Sequence, residues 1–319
     1  MRESRHLGVL QPSVNVHVVG LGAVGTVLAA ALAAAGFRVH TYKAGANDGA
    51  PLVVASPAHT QLTDVTWHGT DLPTVGDSDA VVVAVKWPYL ERVIDTLAPR
   101  LTQSNPIILP QNGLVDECVR APFRCIPIVV HASAHVHTRG RVTIHTGPAF
   151  LVREMDHALP EELLRRAGFV ALDNDAFAVA QRVKLLTASL SLKIALAGVT
   201  IGDAFSDRVF RNELVALVRE GQRVFLADEP GDLNLITATD VLVDRVSTGQ
   251  LVDSLAMHEA YPSLHYDLNV HRRTTEAAWL NGYIVRLGAS MGIRTPLNIG
   301  ILAELTAREA LLLSPETPT

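Results

Sequence analysis

Two cysteines in 319 residues are too few for a disulfide framework. Cys118 and Cys125 therefore read as reduced thiols of a cytoplasmic protein. Positive charge is also scarce. The net charge is −5, so the chain lacks the basic footprint of a nucleic-acid binder. No stretch approaches the roughly 18 unbroken apolar residues of a membrane span. The opening segment "MRESRHLGVLQPS" lacks the apolar run of a secretory signal. Repeats are absent too. Hydrophobic residues make up 48% and charged residues 18%, a balance that suits a globular chain long enough for two domains.

The most informative absence lies near the start. "VNVHVVG" reads as a strand, "AVGTVLAAALAAAG" as a helix closed by Gly36, and "FRVHTY" as a second strand. Between the first strand and the helix stands Gly20-Leu21-Gly22-Ala23-Val24-Gly25, a G-x-G-x-x-G turn. In such a turn the first glycine allows the tight bend, the second lets a pyrophosphate approach the backbone, and the third lets helix and strand pack closely. The helix N-terminus then presents free N–H groups to the phosphates. This context points to a dinucleotide. NAD sites place an acid at the end of the second strand, to bind the ribose 2′-hydroxyl. Here the strand runs into Tyr42-Lys43. Lys43 suits a 2′-phosphate, so the expected cofactor is NADP(H).

Farther along, "DAVVVAVK" is a continuous β-branched run, as expected for a strand buried on both faces. A helix follows over about 89–97, then a short buried strand in "PIILPQNG". "CIPIVVHASAHVH" and "RVTIHTG" form a hairpin about Arg139-Gly140. After about residue 175 the patterns are helical. The expected fold is an α/β domain with a doubly wound, mostly parallel sheet over residues 1–175, followed by an all-α domain over 176–319. His131, Ser133, His135 and His137 alternate, so a strand would turn them to one side. No Cys or carboxylate joins them at ligand spacing, and no metal is expected.

Four later stretches carry a resemblance. "VVVAVKWPYL", "IILPQNGLVDE", "VAQRVKLLTASLSLKIALAG" and "YPSLHYDLNVHRRTTEAAWLNGY" occur in the order found in ketopantoate reductases (2-dehydropantoate 2-reductases). The chain resembles that family from Val14 to about Leu311. The resemblance implies a Rossmann domain, a helical domain and catalysis in the cleft between them. It implies that Lys86 lies beside the cofactor and that Asn112 lies near both nicotinamide and substrate. Lys184 matches the catalytic lysine, which would stabilise the nascent alkoxide and donate the proton. Glu276 matches its acidic partner. Ser263 matches a serine that binds the substrate carboxylate.

The chain also departs from the family pattern. Asparagines are usual four and eight residues after the lysine. Ala188 and Leu192 stand there instead, and both are expected to line the substrate pocket. A tryptophan usual just before the lysine is replaced by Arg182. The implied reaction is hydride transfer from NADPH to a 2-oxo acid. Two alternatives remain open: a reductase for a larger, less polar carbonyl or imine, and a silent NADP(H)-binding sensor. The expected partner is a small molecule, without nucleic acid or membrane; a homodimer is compatible with the sequence.

Overall fold

The computed structural model describes residues 15–42, 51–56, 60–69, 75–115, 123–138, 140–154, 161–251 and 258–313. Six strands form a wholly parallel sheet. They are β1 (Asn15–Val19), β2 (Arg38–Tyr42), β5 (Thr66–His68), β6 (Ala80–Val83), β7 (Ile107–Leu109) and β8 (Cys125–Pro127). Their spatial order is β5-β2-β1-β6-β7-β8, with β1 central. The chain thus winds outward to one edge, returns to the centre and winds to the other. Loops at that reversal leave a crevice at the strands' carboxyl ends.

Helix α1 (Ala23–Ala35) follows β1. Its alanines and leucines are apolar around much of its circumference, and such a helix must be covered on more than one side. The second cover is a sheet that the sequence reading did not foresee. It contains β3 (Leu52–Ala55), β4 (Thr60–Thr63), β9 (Val129–Thr138), β10 (Arg141–Arg153) and β11 (Phe169–Leu172). Leu28, Ala29 and Leu32 of α1 share one core with Val16 and Val18 of β1 and with Val142, Phe150 and Phe169 of the second sheet. The short strands β3, β4 and β5 carry too few residues for a clear period, so pairing defines them. The expected hairpin is present as the antiparallel pair β9–β10, with register shifts along it. On the opposite face of the parallel sheet, α2 (Trp87–Leu97) buries Trp87, Leu90, Ile94 and Leu97.

The α/β part is followed by a helical region. A short α3 (Glu161–Arg166) precedes β11. Then α4 (Asn174–Ala197) begins at Asp173, whose side chain accepts from the Ala176 N–H, and ends at Gly198 in a left-handed conformation. It packs with α5 (Ile201–Ser206), α6 (Arg208–Asp228), α7 (Leu233–Thr248), α9 (Asn281–Ser290) and α10 (Pro296–Leu313) around one core. Among the described residues no strand follows β11. Buried Glu220 of α6 accepts from the Leu297 and Asn298 N–H groups at 3.0 and 2.8 Å, a carboxylate at the positive end of α10. A single 3-10 turn, Ala277–Trp279, precedes α9. Before it, α8 (Ser263–His265) runs into a π-helical turn at Tyr266–Val270. No described helix is long and apolar enough to cross a membrane.

Candidate active site

A cleft of about 860 Å³ runs between the glycine turn, strand β9, helix α4 and the α8 segment. At one end Gly22, Ala23 and Val24 line it. The three glycines of the turn meet different constraints. Gly20 has φ +98°, and a Cβ there would lie 2.9 Å from the Ala84 carbonyl oxygen. A Cβ on Gly25 would lie 1.9 Å from the Gly20 carbonyl oxygen. Gly22 is extended and would meet no protein atom within 4 Å. Protein packing therefore explains Gly20 and Gly25 but not Gly22. The space at Gly22, at the uncapped N-terminus of α1, fits a phosphate group of a dinucleotide. Leu21 lies inward, fully buried in the core. Lys43 falls outside the described residues, and so does Cys118; Cys125 is half-buried.

Lys86 and Asn112 line the same cleft, each just beyond the end of a parallel strand. Gln111 fixes this corner by donating to the carbonyls of Val83 and Val85 at 2.7 and 2.8 Å. Trp87 fixes it further: its indole donates to the Asn112 carbonyl at 2.6 Å, and its ring stacks on Trp279 at 5.8 Å. Glu276 is not beside Lys184. Its carboxylate accepts from the Trp87 N–H at 3.2 Å and sits 4.0 Å from the Lys86 ammonium. Burial, opposed by Lys86, raises its pKa. The residue at the centre of this corner is Asp267, which the sequence reading did not assign. Fully buried in the π turn, it accepts from Lys86 and, at 2.8 Å, from the Arg273 Nε–H. Its signal in the sequence was only its place four residues after Ser263.

Lys184 lies on α4 and opens onto the cleft. It makes no hydrogen bond or ion pair among the described residues. The protein walls around it strip water from the ammonium, and this lowers its pKa to about 8. Thr187, Ala188 and Ser191 line the cleft on the same helix. Leu192 does not, which corrects its assignment as a pocket residue: it is fully buried in the helical core. The reason is angular. Seven residues return about 20° short of two full turns, whereas eight overshoot by about 80°. Ser191 therefore shares the face of Lys184. Ser189 is also buried and donates to the Leu186 carbonyl at 2.7 Å. Arg182 points away from the cleft, to Asp228 and Glu229 of the α6 end. Ser263 lines the cleft, exposed, as the first residue of α8. His131, Ser133, His135 and His137 also line it. No group of three or more His, Cys, Asp or Glu among the described residues could hold a metal ion.

Comparison with known proteins bears on the family and the fold. The family model described as Ketopantoate reductase PanE/ApbA matches residues 16–156, and its C-terminal counterpart matches residues 180–309. The chain is 28% identical over 313 residues to a 2-dehydropantoate 2-reductase of Mycobacterium tuberculosis (strain ATCC 25618 / H37Rv), covering 92% of this chain and 97% of that one. Among solved structures, D-mandelate dehydrogenase with NADH and anilino(oxo)acetate superposes with a TM-score of 0.78 at 17% identity, over 93% of this chain and 99% of that chain. A dimeric ketopantoate reductase from Staphylococcus aureus gives 0.73 at 22%, with the same coverage.

Proposed function

Because the chain belongs to the ketopantoate reductase family, we propose that it is an NADPH-dependent reductase of a 2-oxo acid, with Lys184 as the general acid. Residues 1–175 hold the cofactor in this reading, and 176–319 supply the catalytic and substrate-binding wall. The observation that carries it is Lys184: a lysine without a hydrogen bond or ion pair among the described residues, in the cleft that also contains the glycine turn, with a pKa lowered to about 8. A proton donor works best when its pKa is near the working pH. Bound nicotinamide supplies the hydride.

The chain's own residues do the rest. Gly22 and the α1 N-terminus receive the pyrophosphate, Lys43 the 2′-phosphate. Lys86 and Asn112 border the nicotinamide and the substrate. Lys184 stabilises the developing alkoxide and gives up its proton to it. Ser263 takes the substrate carboxylate, aided by the positive charge of Lys184. Glu276 and Asp267 hold Lys86, so Glu276 acts on the site through Lys86 and the Trp87 backbone. A silent sensor would have no use for a desolvated lysine in the cleft. A homodimer belongs to the same reading, supported by the dimeric S. aureus relative.

The direct test is oxidation of NADPH and NADH by purified protein with a panel of 2-oxo acids and imines. No turnover with any of them would defeat the proposal. In the same preparation NADPH should bind roughly tenfold to a hundredfold more tightly than NADH, the worth of one charge-assisted contact. Lys43→Glu should abolish or reverse that preference. Equal affinities in the wild type would remove Lys43 from the cofactor site.

A further inference from the structure

Strand β9 packs Ala132, Ala134 and Val136 against the α/β core and so turns the alternate side chains outward. The outward set, His131, Ser133, His135 and His137, forms one wall of the cleft. Tyr261 and Tyr266 line the cleft from the α8 segment. The His135 ring lies 5.0 Å from Tyr266 and 4.9 Å from His137. Tyr261 meets Tyr266 edge-on at 6.5 Å and is backed by His265, stacked at 4.0 Å. The chain has only five tyrosines, so two in one cleft is a concentration rather than background. Neither phenol makes a hydrogen bond among the described residues. In the proposed reaction the hydride comes from the nicotinamide and the proton from Lys184, so these rings are left for other work.

We propose that Tyr261, Tyr266 and His135 form an aryl-binding subsite, so that the preferred substrate is a 2-oxo acid carrying an aromatic ring. The substrate class rests on the reductase reading; the subsite does not. A substrate ring that meets the cleft-facing edges or faces of these rings at about 4.5–7 Å gains beyond simple burial. An aliphatic group of equal volume gains burial alone. Burial also lowers the pKa of His131 and His135, which favours the uncharged form of these two rings. Ala188, on the face of α4 that lines the cleft, offers a substrate hydroxyl nothing to bond.

The test compares phenylpyruvate with 3-cyclohexylpyruvate, which differ in aromaticity at nearly equal length. The wild type should favour phenylpyruvate in kcat/KM by roughly threefold to tenfold. Tyr266→Leu should bring that ratio close to one whatever its overall rate, and Tyr266→Phe, which keeps the ring, should preserve it. A wild-type ratio near one, or a ratio unchanged in Tyr266→Leu, overturns the proposal. If neither compound nor ketopantoate is reduced, the reductase reading fails, and calorimetric binding of phenylpyruvate with NADPH present decides the subsite. Tighter binding to wild type and Tyr266→Phe than to Tyr266→Leu supports it; equal binding overturns it.

Discussion

The two ends of the cleft are built in opposite ways. The cofactor end is local: one strand, one turn and one helix within residues 15–35 create the phosphate cradle. The substrate end is assembled from β9, α4 and the π turn, whose residues lie up to 141 positions apart (129 to 270) and meet only in the folded chain. Backbone geometry does the work at the first end, and side chains do it at the second. A fold can hold the first constant while the second changes by single substitutions. Ala188, which stands where the family pattern has an asparagine, is a change of that kind.

Removing the lysine proposed as the proton donor should have the largest effect. Lys184→Met should lower turnover by roughly 10²–10⁴, the usual contribution of a positioned acid, while cofactor affinity survives. The same variant should be more stable. A lysine whose folded pKa is depressed below its unfolded value costs stability at neutral pH, and that cost fades as pH rises from about 8 to about 10.5. Solvent in the cleft reduces the gain, to on the order of 1–2 kcal/mol at pH 7. Thermal melting at pH 7 and steady-state kinetics check both halves. A variant with normal turnover would show that Lys184 is not the proton donor.

The cofactor end can be broken in two distinguishable ways. Gly25→Ala places a methyl against the Gly20 carbonyl and should destabilise the whole protein by about 3 kcal/mol. The Cβ of Gly22→Val meets no protein atom within 4 Å, so the melting temperature should hold while cofactor affinity falls at least about tenfold. Calorimetric titration with both cofactors beside a thermal melt separates these outcomes. A Gly22→Val protein that binds normally would mean that the open space is not the phosphate site.

At the substrate end the contrast lies along α4 itself. Leu192→Asn buries an amide in the helical core and should cost roughly 2–5 kcal/mol. Ala188→Asn opens on the cleft and should leave stability almost unchanged while moving selectivity toward ketopantoate. Urea unfolding and kcat/KM on paired substrates measure these effects. If Leu192→Asn proves harmless, α4 is rotated from the orientation described.

This contrast also explains what the sequence made legible. The turn from Gly20 to Gly25 stands at a strand end, where hydrophobic pattern and turn chemistry coincide, so it was legible locally; Lys86 and Asn112 were legible through the family motif and line the cleft. Lys184 was legible by its motif and lies in the cleft. Ser191 was passed over for Leu192 because spacing alone does not resolve about 100° of helix rotation. Asp267 and Trp87 were invisible as site residues. Each acts by a contact across more than 150 residues, Asp267 to Lys86 and Trp87 to Glu276, and no period or spacing encodes such a contact. The second sheet was missed for a related reason: β3 and β4 are four residues each and are defined by their partners.

The central claim is that Lys184 donates the proton, and the pH dependence of kcat/KM for NADPH-driven reduction of a 2-oxo acid tests it most directly. The active form is the ammonium, so the rate should be level at lower pH and fall tenfold per unit above about pH 8. The reverse oxidation needs the neutral amine and should rise to a plateau across the same value. Lys184→Arg, whose guanidinium stays protonated, should lose the break at pH 8. A wild-type reduction rate that stays level to pH 10, or a break that persists in Lys184→Arg, would contradict the account.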